Sequence, residues 1–318
     1  MSHPLNAERF ADDALGGIPL GRLRAFLGRD PFATAYMLGD LDPVYASFCT
    51  WWIASEAAAQ PRPGAGPHEA ASPRDVAVLL VYTGLSAPVV LTHGSAAGIQ
   101  AILAQAGDEL PQRAHVHMSP DHLAVIDQHF TLDRLRPMVR MGLRAADVSA
   151  KAAQPQGLAL PVAPVQGYGP VERLGHRHTG DIMALSQHYP DSFFEPHQLS
   201  SGHYYGIFAA TSAPAGSDAS PLLVAVAGVH IVSKSDRVAA LGNIVTHPDH
   251  RGKGLSTVAT MHLCRELAAE GIELLALNVE RRNTSALRVY EKLGFVDHCT
   301  YIEAFMTRTL DRQLSRGA

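Results

Sequence analysis

The two halves of this 318-residue chain repeat one order of predicted strands and helices, and this repetition limits the folds open to the chain. Runs of apolar residues with strand character alternate with stretches whose apolar residues recur at helical spacing. In each half the order is helix, three strands, helix, strand, helix and strand. The residues themselves differ between the halves. The pattern predicts a mixed α/β fold in each half, with helices flanking a mostly antiparallel sheet, and it favours a diverged internal duplication.

The predicted elements are as follows. In the C-terminal half, helices span 179–189, 255–270 and 284–294, and strands span 204–210, 222–233, 238–245, 273–279 and 299–306. In the N-terminal half, helices span 20–27, 96–106 and 121–130, and strands span 48–55, 76–84, 88–94, 113–119 and 135–143.

A stretch rich in Pro, Gly, Ala and Gln divides the chain nearly in half. Residues 144–170 show neither a helical nor a strand period, which is typical of a linker. The expected division is therefore a domain at 1–145, a linker at 146–169 and a second domain at 170–318.

Composition excludes several classes of function. The formal charge of −4 and a pI near 6.5 provide no basic field for nucleic acid or acidic membranes, so a small soluble partner is favoured. Neither a leader-like apolar segment nor a membrane-length apolar run is evident, and the three scattered cysteines fit a reducing compartment. A cytoplasmic location is expected. The motifs HVH at 115–117 and HRH at 176–178 lack a third ligand at suitable spacing, so no metal site is predicted.

The segment HPDHRGKGLS, residues 247–256, follows a predicted strand and leads into a helix. Such a turn directs unpaired backbone N–H groups at one point, at the positive end of the helix dipole, where phosphate binds well. Gly252 and Gly254 permit close approach of a ligand, while Arg251 and Lys253 add positive charge. Ser256 and Thr257 could add hydroxyl donors. Packing alone explains such glycines equally well.

Spacing excludes two familiar phosphate motifs. A P-loop requires glycine at position 247 and a hydroxyl residue after Lys253, but His247 and Gly254 stand there. A dinucleotide fingerprint requires glycine at 257, which is Thr257. The remaining candidate for the ligand of this turn is a different nucleotide-bearing molecule.

The segments NIVTHPDHRGKGLSTVATMHL and LALNVERRNTSALRVYEKLGF resemble the GCN5-related N-acetyltransferases (GNAT). The first signature, Arg/Gln-x-x-Gly-x-Gly/Ala, is matched by Arg251 and Gly254, with Ser256 departing in the last place. The second consists of an Asn, a Tyr on the following helix and a Gly-Phe pair, here Asn283, Tyr290 and residues 294–295. The resemblance covers roughly 170–308, and the segments YYGIF and AGVHIVS are most similar to the FR47-like branch.

The resemblance implies tandem GNAT-like domains and acetyl-CoA as co-substrate, with a degenerate N-terminal copy that lacks the glycine turn. Backbone groups of the turn would hold the pyrophosphate, and residues 244–246 would pair with the pantetheine arm. A strand irregularity there could direct an N–H at the thioester oxygen. The implied cofactor-binding residues are Ile244, Val245, Thr246, Arg251, Gly252, Lys253, Gly254, Leu255, Ser256, Thr257 and Asn283.

Tyr290 would be the general acid that protonates the departing CoA thiolate, with a helix-anchoring core aromatic as the alternative role. Some family members carry a glutamate base at the position of Val238, where this chain has no base. His247, His230, Glu280 and an ordered water remain as candidates for the base.

Three functions follow from this resemblance. The first is acetyl transfer to a primary amine of a small molecule, amino acid or protein. The second uses another acyl-CoA or a glycine-like acceptor, and the third is a non-catalytic acyl-CoA sensor. Phe193, Phe194 and His197 are candidates for lining an acceptor pocket, although core packing explains the two phenylalanines equally well.

Overall fold

The computed structural model describes residues 5–11, 19–57, 74–148, 165–190, 194–210 and 221–309. The strands are β1 (Leu5–Ala11), β2 (Cys49–Glu56), β3 (Arg74–Tyr82), β4 (Val89–Gly94), β5 (Arg113–Met118), β6 (Phe130–Arg144), β7 (Tyr168–Arg173), β8 (Tyr205–Ala209), β9 (Leu223–Ser233), β10 (Val238–Thr246), β11 (Leu274–Glu280) and β12 (Val296–Arg308). The helices are α1 (Leu20–Leu27), α2 (Ala35–Gly39), α3 (Ala96–Ala106), α4 (Leu123–Ile126), α5 (Thr179–Ser186), α6 (Leu255–Ala269) and α7 (Thr284–Leu293).

The chain forms two compact units that differ from the expected division at 145 and 170. Unit 1 comprises 1–30, 40–138 and 300–318, and unit 2 comprises 31–39 and 139–299. The difference has a physical reason: β6 and β12 span 15 and 13 residues, so each is long enough to give one end to each unit. Most of the expected linker lies outside the described residues, as do nearly all of the low-complexity stretches at 57–74 and 211–221.

Unit 1 contains an antiparallel run of strands closed by one parallel pair. Strands β1, β2, β3 and β4 pair antiparallel in that order, β4 pairs parallel with β5, and β5 pairs antiparallel with β12. The β3–β4 register continues from Ala77–Gly94 to Tyr82–Val89 without a shift. Helix α3 packs its apolar side, including Ile99 and Ile102, on this sheet.

Unit 2 repeats the same pairing. Strands β7, β8, β9 and β10 pair antiparallel in order, and β10 pairs parallel with β11. Its core lies between this sheet and helices α5, α6 and α7, around fully buried residues such as Leu263 and Leu275. The predicted mixed α/β class is confirmed. The two units therefore share one order of strand pairing.

A segment of the N-terminal half belongs to unit 2. Residues 31–39 include α2, and the Cα of Gly39 lies so close to Ile231 that an added Cβ would sit 2.0 Å from its Cγ2. Arg140 on β6 donates to the carbonyl of Ala33 and stacks its guanidinium 4.8 Å from the ring centre of Tyr36. Helix α2 is therefore a tightly packed part of unit 2.

Most predicted elements are present with boundaries within a few residues, and α1 and α3 have the predicted bounds. The helix predicted at 121–130 is shorter, because a 3-10 turn occupies 120–122, α4 ends at Ile126 and β6 already begins at Phe130. Two of the three cysteines, Cys49 and Cys264, are buried. Among the described residues, no helix is long and apolar enough to cross a bilayer.

Candidate functional site

Strands β10 and β11 separate at the centre of unit 2. Their parallel pairing runs from Val238–Leu274 to Leu241–Leu277, while the strands continue to Thr246 and Glu280. The unpaired ends of the two strands form a wedge that opens toward their carboxyl termini. An extended ligand arm could therefore pair with the exposed backbone edge of β10.

The edge of β10 at this wedge is irregular. Gly242 pairs with Gly228 and Val245 with Val226, so β10 has two residues where β9 has one. Asn243, inside this bulge, has φ of 51°, a left-handed conformation that costs a non-glycine residue about 1 kcal/mol or more. Such a bulge reorients backbone N–H groups away from the ladder. An irregularity was expected near 244–246, and it lies at 242–245.

A buried polar network holds this bulge. The Asn243 side chain donates to Gln198 Oε1 at 3.1 Å and to the Tyr204 hydroxyl at 2.8 Å. Tyr204 is fully buried and donates to the carbonyl of Val229 at 3.0 Å. These hydrogen bonds offset the cost of the left-handed backbone. Sequence reasoning missed the network, although a Gly-Asn pair inside a strand signals a bulge.

The glycine turn after β10 is open rather than packed. Gly252 and Gly254 have φ of 74° and 78°, and a Cβ added to either would meet nothing within 4 Å. Packing therefore does not explain these glycines. Helix α6 begins at Leu255 without a side-chain cap and without an acidic residue in its first turn, so its N–H groups can receive an anion.

The corresponding turn of unit 1 is filled by the protein itself. A Cβ on Gly94 would lie 2.3 Å from the carbonyl of Val76, and the Ser95 hydroxyl caps α3 by accepting from Gly98 N. His122 lies 2.9 Å from the Gly94 carbonyl. Ser95 therefore occupies one of the N–H groups at the start of α3, whereas the first turn of α6 has no such cap.

Two tyrosines hold the basic side chains of the unit 2 turn. Arg251 donates to the Tyr189 hydroxyl at 2.8 Å, and Tyr189 donates to the carbonyl of Thr246. Lys253 donates to the Tyr168 hydroxyl at 2.9 Å. Arg251 and Lys253 are exposed and lie beside the turn, as an anion site requires. Ser256 and Thr257 stand in the first turn of α6.

Helix α7 begins at the second motif. Asn283 Oδ1 accepts from Ala286 N at 3.2 Å and caps the helix, so the Nδ2 group is the part of this amide suited to contact a cofactor arm. Tyr290 is 7% exposed and packs edge-to-face with Phe295. Burial raises the pKa of Tyr290 well above that of a free phenol, so its hydroxyl stays protonated at neutral pH. Both motif residues thus also have structural roles.

The structure separates the three side-chain candidates for the base. His230 lies beside the bulge, with its Nε2 close enough to Gly242 that an added Cβ would sit 1.9 Å away. His247 lies at the start of the glycine turn, where its Nδ1 accepts from Asp249 N. Glu280 forms an ion pair with Arg282 at 2.5 Å at the end of β11. His230 is the candidate beside the bulge.

The remaining candidates have local partners. Phe194 packs against Tyr204 with ring centres 5.8 Å apart, and His197 is more than half exposed beside Glu195. Phe193 lies outside the described residues. Within the described ranges, no group of three or more His, Cys, Asp or Glu side chains is arranged to hold a metal ion.

Comparison with known proteins finds a family model that matches part of the chain. Residues 182–295 match the family model described as "Acetyltransferase (GNAT) family". The [Ribosomal protein bS18]-alanine N-acetyltransferase of Escherichia coli K12 is 40% identical over 57 residues, which are 18% of this chain. The match spans only 38% of that relative.

Solved structures share the fold over nearly the whole chain. A tandem GNAT protein from the clavulanic acid biosynthesis pathway aligns with 97% of this chain and 100% of its own, at a TM-score of 0.53 and 16% identity. A GCN5-related N-acetyltransferase from Sphaerobacter thermophilus aligns at 0.56 and 14% identity, covering 95% of this chain and 96% of its own. A Drosophila protein aligns at 0.60 and 12% identity, covering 91% and 94%. Residues 182–295, which hold the wedge, the glycine turn and the Asn283 helix, therefore carry the pattern of the Acetyltransferase (GNAT) family.

Proposed function

We propose that unit 2 is an acetyl-CoA-dependent N-acetyltransferase. The observation that carries the proposal is one continuous segment, β10 and the turn after it, which provides a bulge, an unpaired edge and an open glycine turn in succession. An extended thioester with a pyrophosphate at its far end needs these three features in this order. The segments YYGIF and AGVHIVS further favour the FR47-like branch.

Binding would follow from backbone geometry and charge. The N–H groups of 252–256 face the pyrophosphate at the positive end of the α6 dipole, with Arg251 and Lys253 beside it. The pantetheine arm pairs with Ile244 to Thr246 as an added strand. Asn283 Nδ2 contacts the arm from the opposite side of the wedge.

The reaction would be a direct transfer. The amine nitrogen attacks the thioester carbon, the carbonyl electrons move to oxygen, and backbone N–H groups of the bulge stabilise the resulting oxyanion. As the C–S bond breaks, the thiolate takes a proton from the Tyr290 hydroxyl, and the ammonium proton leaves to a base or an ordered water. The products are an amide and CoA.

Unit 1 would be a copy without a cofactor site. Its β3–β4 register is unbroken, and its turn is occupied by Ser95, His122 and the Val76 carbonyl. One chain therefore binds one acetyl-CoA.

Turnover distinguishes this proposal from an acyl-CoA sensor. Release of CoA from acetyl-CoA is measured with a panel of amines, including a peptide with N-terminal alanine suggested by the name of the Escherichia coli relative. Wild type is expected to acetylate at least one amine, and Tyr290→Phe to lower kcat by roughly 100-fold because the thiolate then leaves unprotonated. Binding without any turnover would favour the sensor, and preference for a longer acyl-CoA would favour the second alternative.

A further inference from the structure

The orientation of the Gln198 amide is fixed by the backbone N–H of Glu195, which can only donate. Gln198 Oε1 accepts from the backbone N–H of Glu195 at 2.9 Å and from Asn243 Nδ2 at 3.1 Å. A flipped amide would direct its NH₂ group at both donors. The oxygen end therefore faces Glu195 and Asn243, and the Nε2 end faces the other way.

The Nε2 end of Gln198 faces His230. The two atoms Gln198 Nε2 and His230 Nδ1 are 3.5 Å apart, the long limit of a hydrogen bond. An amide NH₂ has no lone pair to offer, so Nδ1 of the imidazole must be the acceptor. A neutral imidazole that accepts at Nδ1 carries its proton on Nε2.

That proton lies at the bulge. Gly242 pairs with Gly228, and His230 is the extra residue of β9 between the pairs Ala240–Ile231 and Leu241–Val229. This placement lays the ring over Gly242, with Nε2 1.9 Å from the position that a Cβ would occupy. The Nε2–H group therefore stands beside Gly242, the residue before Asn243.

We propose that His230 is a hydrogen-bond donor to the thioester oxygen, not the base that deprotonates the amine. This role rests on the proposed acetyl transfer. Nε2 keeps its proton throughout the reaction. The Nε2–H group donates a hydrogen bond to the carbonyl oxygen, and this hydrogen bond becomes stronger once that oxygen carries the negative charge of the tetrahedral intermediate. The amine proton leaves to water, and the thiolate receives its proton from Tyr290.

An aromatic ring and an amide lie next to the His230 imidazole. The Tyr36 ring lies 6.2 Å away, centre to centre, and the Arg140 guanidinium lies 4.8 Å from the centre of the same Tyr36 ring. The neutral amide of Gln198 lies at Nδ1.

Two variants reverse or preserve this chemistry. Gln198→Glu keeps an oxygen for Glu195 and Asn243 but puts a carboxylate at Nδ1, which then requires a proton there. At high pH the neutral ring of this variant carries its proton on Nδ1 and offers no donor at the bulge; at low pH the imidazolium still donates. His230→Gln retains an amide donor, and exposed Gln187→Glu controls for the added charge.

The test combines spectroscopy with pH profiles. In ¹⁵N spectra of the wild type, with His230 assigned from the His230→Gln spectrum, we expect the Nε2–H tautomer. We expect kcat of Gln198→Glu to fall about 100-fold as pH rises, and His230→Leu to lose a similar factor in kcat with little change in KM for acetyl-CoA. The kcat of His230→Gln should stay within about tenfold of the wild-type value, and the kcat of Gln187→Glu should equal the wild-type value.

Several outcomes would overturn the proposal. One is an Nδ1–H tautomer in the wild type, which is independent of any activity. Another is a Gln198→Glu variant whose kcat rises with pH, because a free Nε2 lone pair would then act as the base. Absence of acetyl-CoA binding or turnover in the wild type would contradict the proposed function itself, and the donor role with it.

Discussion

At the scale of single residues, the turn glycines of the two units differ in their surroundings. Gly94 and Gly98 in unit 1 are required by close contact, since a Cβ on either would lie within 2.5 Å of a neighbouring atom. Gly252 and Gly254 in unit 2 have left-handed φ values and open space around them. A sequence motif alone does not distinguish these cases, because both are glycine-bearing turns before a helix. The surroundings of the missing Cβ do distinguish them.

Gly242→Ala tests whether the position of the His230 ring matters for turnover. The new methyl group would lie 1.9 Å from His230 Nε2, so the imidazole must leave the bulge. We expect kcat to fall at least tenfold while the dissociation constant for acetyl-CoA changes less than about threefold. Gly180→Ala, in open space on α5, is the control and should leave both values unchanged. An unaltered kcat in Gly242→Ala would contradict a catalytic position for His230.

The buried phenol of Tyr290 predicts the alkaline side of the pH profile. Because burial raises its pKa, the acid form persists as pH rises through 10, where a free phenol ionises. The acid is thus lost only above the raised pKa. We expect wild-type kcat to stay level between pH 8 and about 10, and an alkaline limb with a midpoint near 9 that is absent from Tyr290→Phe would contradict this account.

At the scale of elements, the site depends on how β10 leaves its neighbours. Its first four residues pair with β11, and its last five form the bulge and the edge of the wedge. Strand patterning predicted β10, and helix patterning predicted α6, since both have regular periods. The buried polar network that holds the bulge was not predictable, because Gln198 and Tyr204 lie about 40 positions from Asn243 and belong to no motif.

Short elements and long-range pairing could not be predicted from the sequence either. Strands β1 and β7 have mixed burial without a clean alternation, and α2 has five residues, too few for a helical period. The assignment of 31–39 to unit 2 depends on contacts such as Gly39 with Ile231, which no local pattern encodes. Boundaries drawn at a Pro/Gly-rich linker cannot anticipate strands that give one end to each unit.

Gly39→Leu tests the packing of α2 within unit 2. The Cβ alone would lie 2.0 Å from Ile231 Cγ2, in a fully buried position, so the substitution overpacks the core. We expect the free energy of unfolding in urea to fall by about 1–3 kcal/mol. Gly21→Ala, on the exposed face of α1 with open space, is the matched control and should be neutral or stabilising by up to about 1 kcal/mol. Equal stability of Gly39→Leu and wild type would show that α2 does not pack as described.

At the scale of the whole molecule, one element order occurs twice with different outcomes. Both units pair four antiparallel strands and one parallel strand in the same sequence. Among the described residues, the fourth strand of unit 2 has a broken register with β9 and is followed by an open glycine turn, whereas β4 of unit 1 keeps an unbroken register with β3 and is followed by a filled turn. The repeated scaffold therefore does not by itself carry function, which lies in the local departures from regular pairing.

Calorimetric titration with acetyl-CoA tests most directly whether the open turn of unit 2 holds the cofactor. We predict one equivalent bound per chain in wild type and none in Gly254→Glu, where bulk and negative charge would occupy the pyrophosphate position. Gly180→Glu, which adds the same side chain at an open helical position of unit 2, should still bind one equivalent. Two equivalents in wild type, no binding, or one equivalent retained by Gly254→Glu would contradict the assignment.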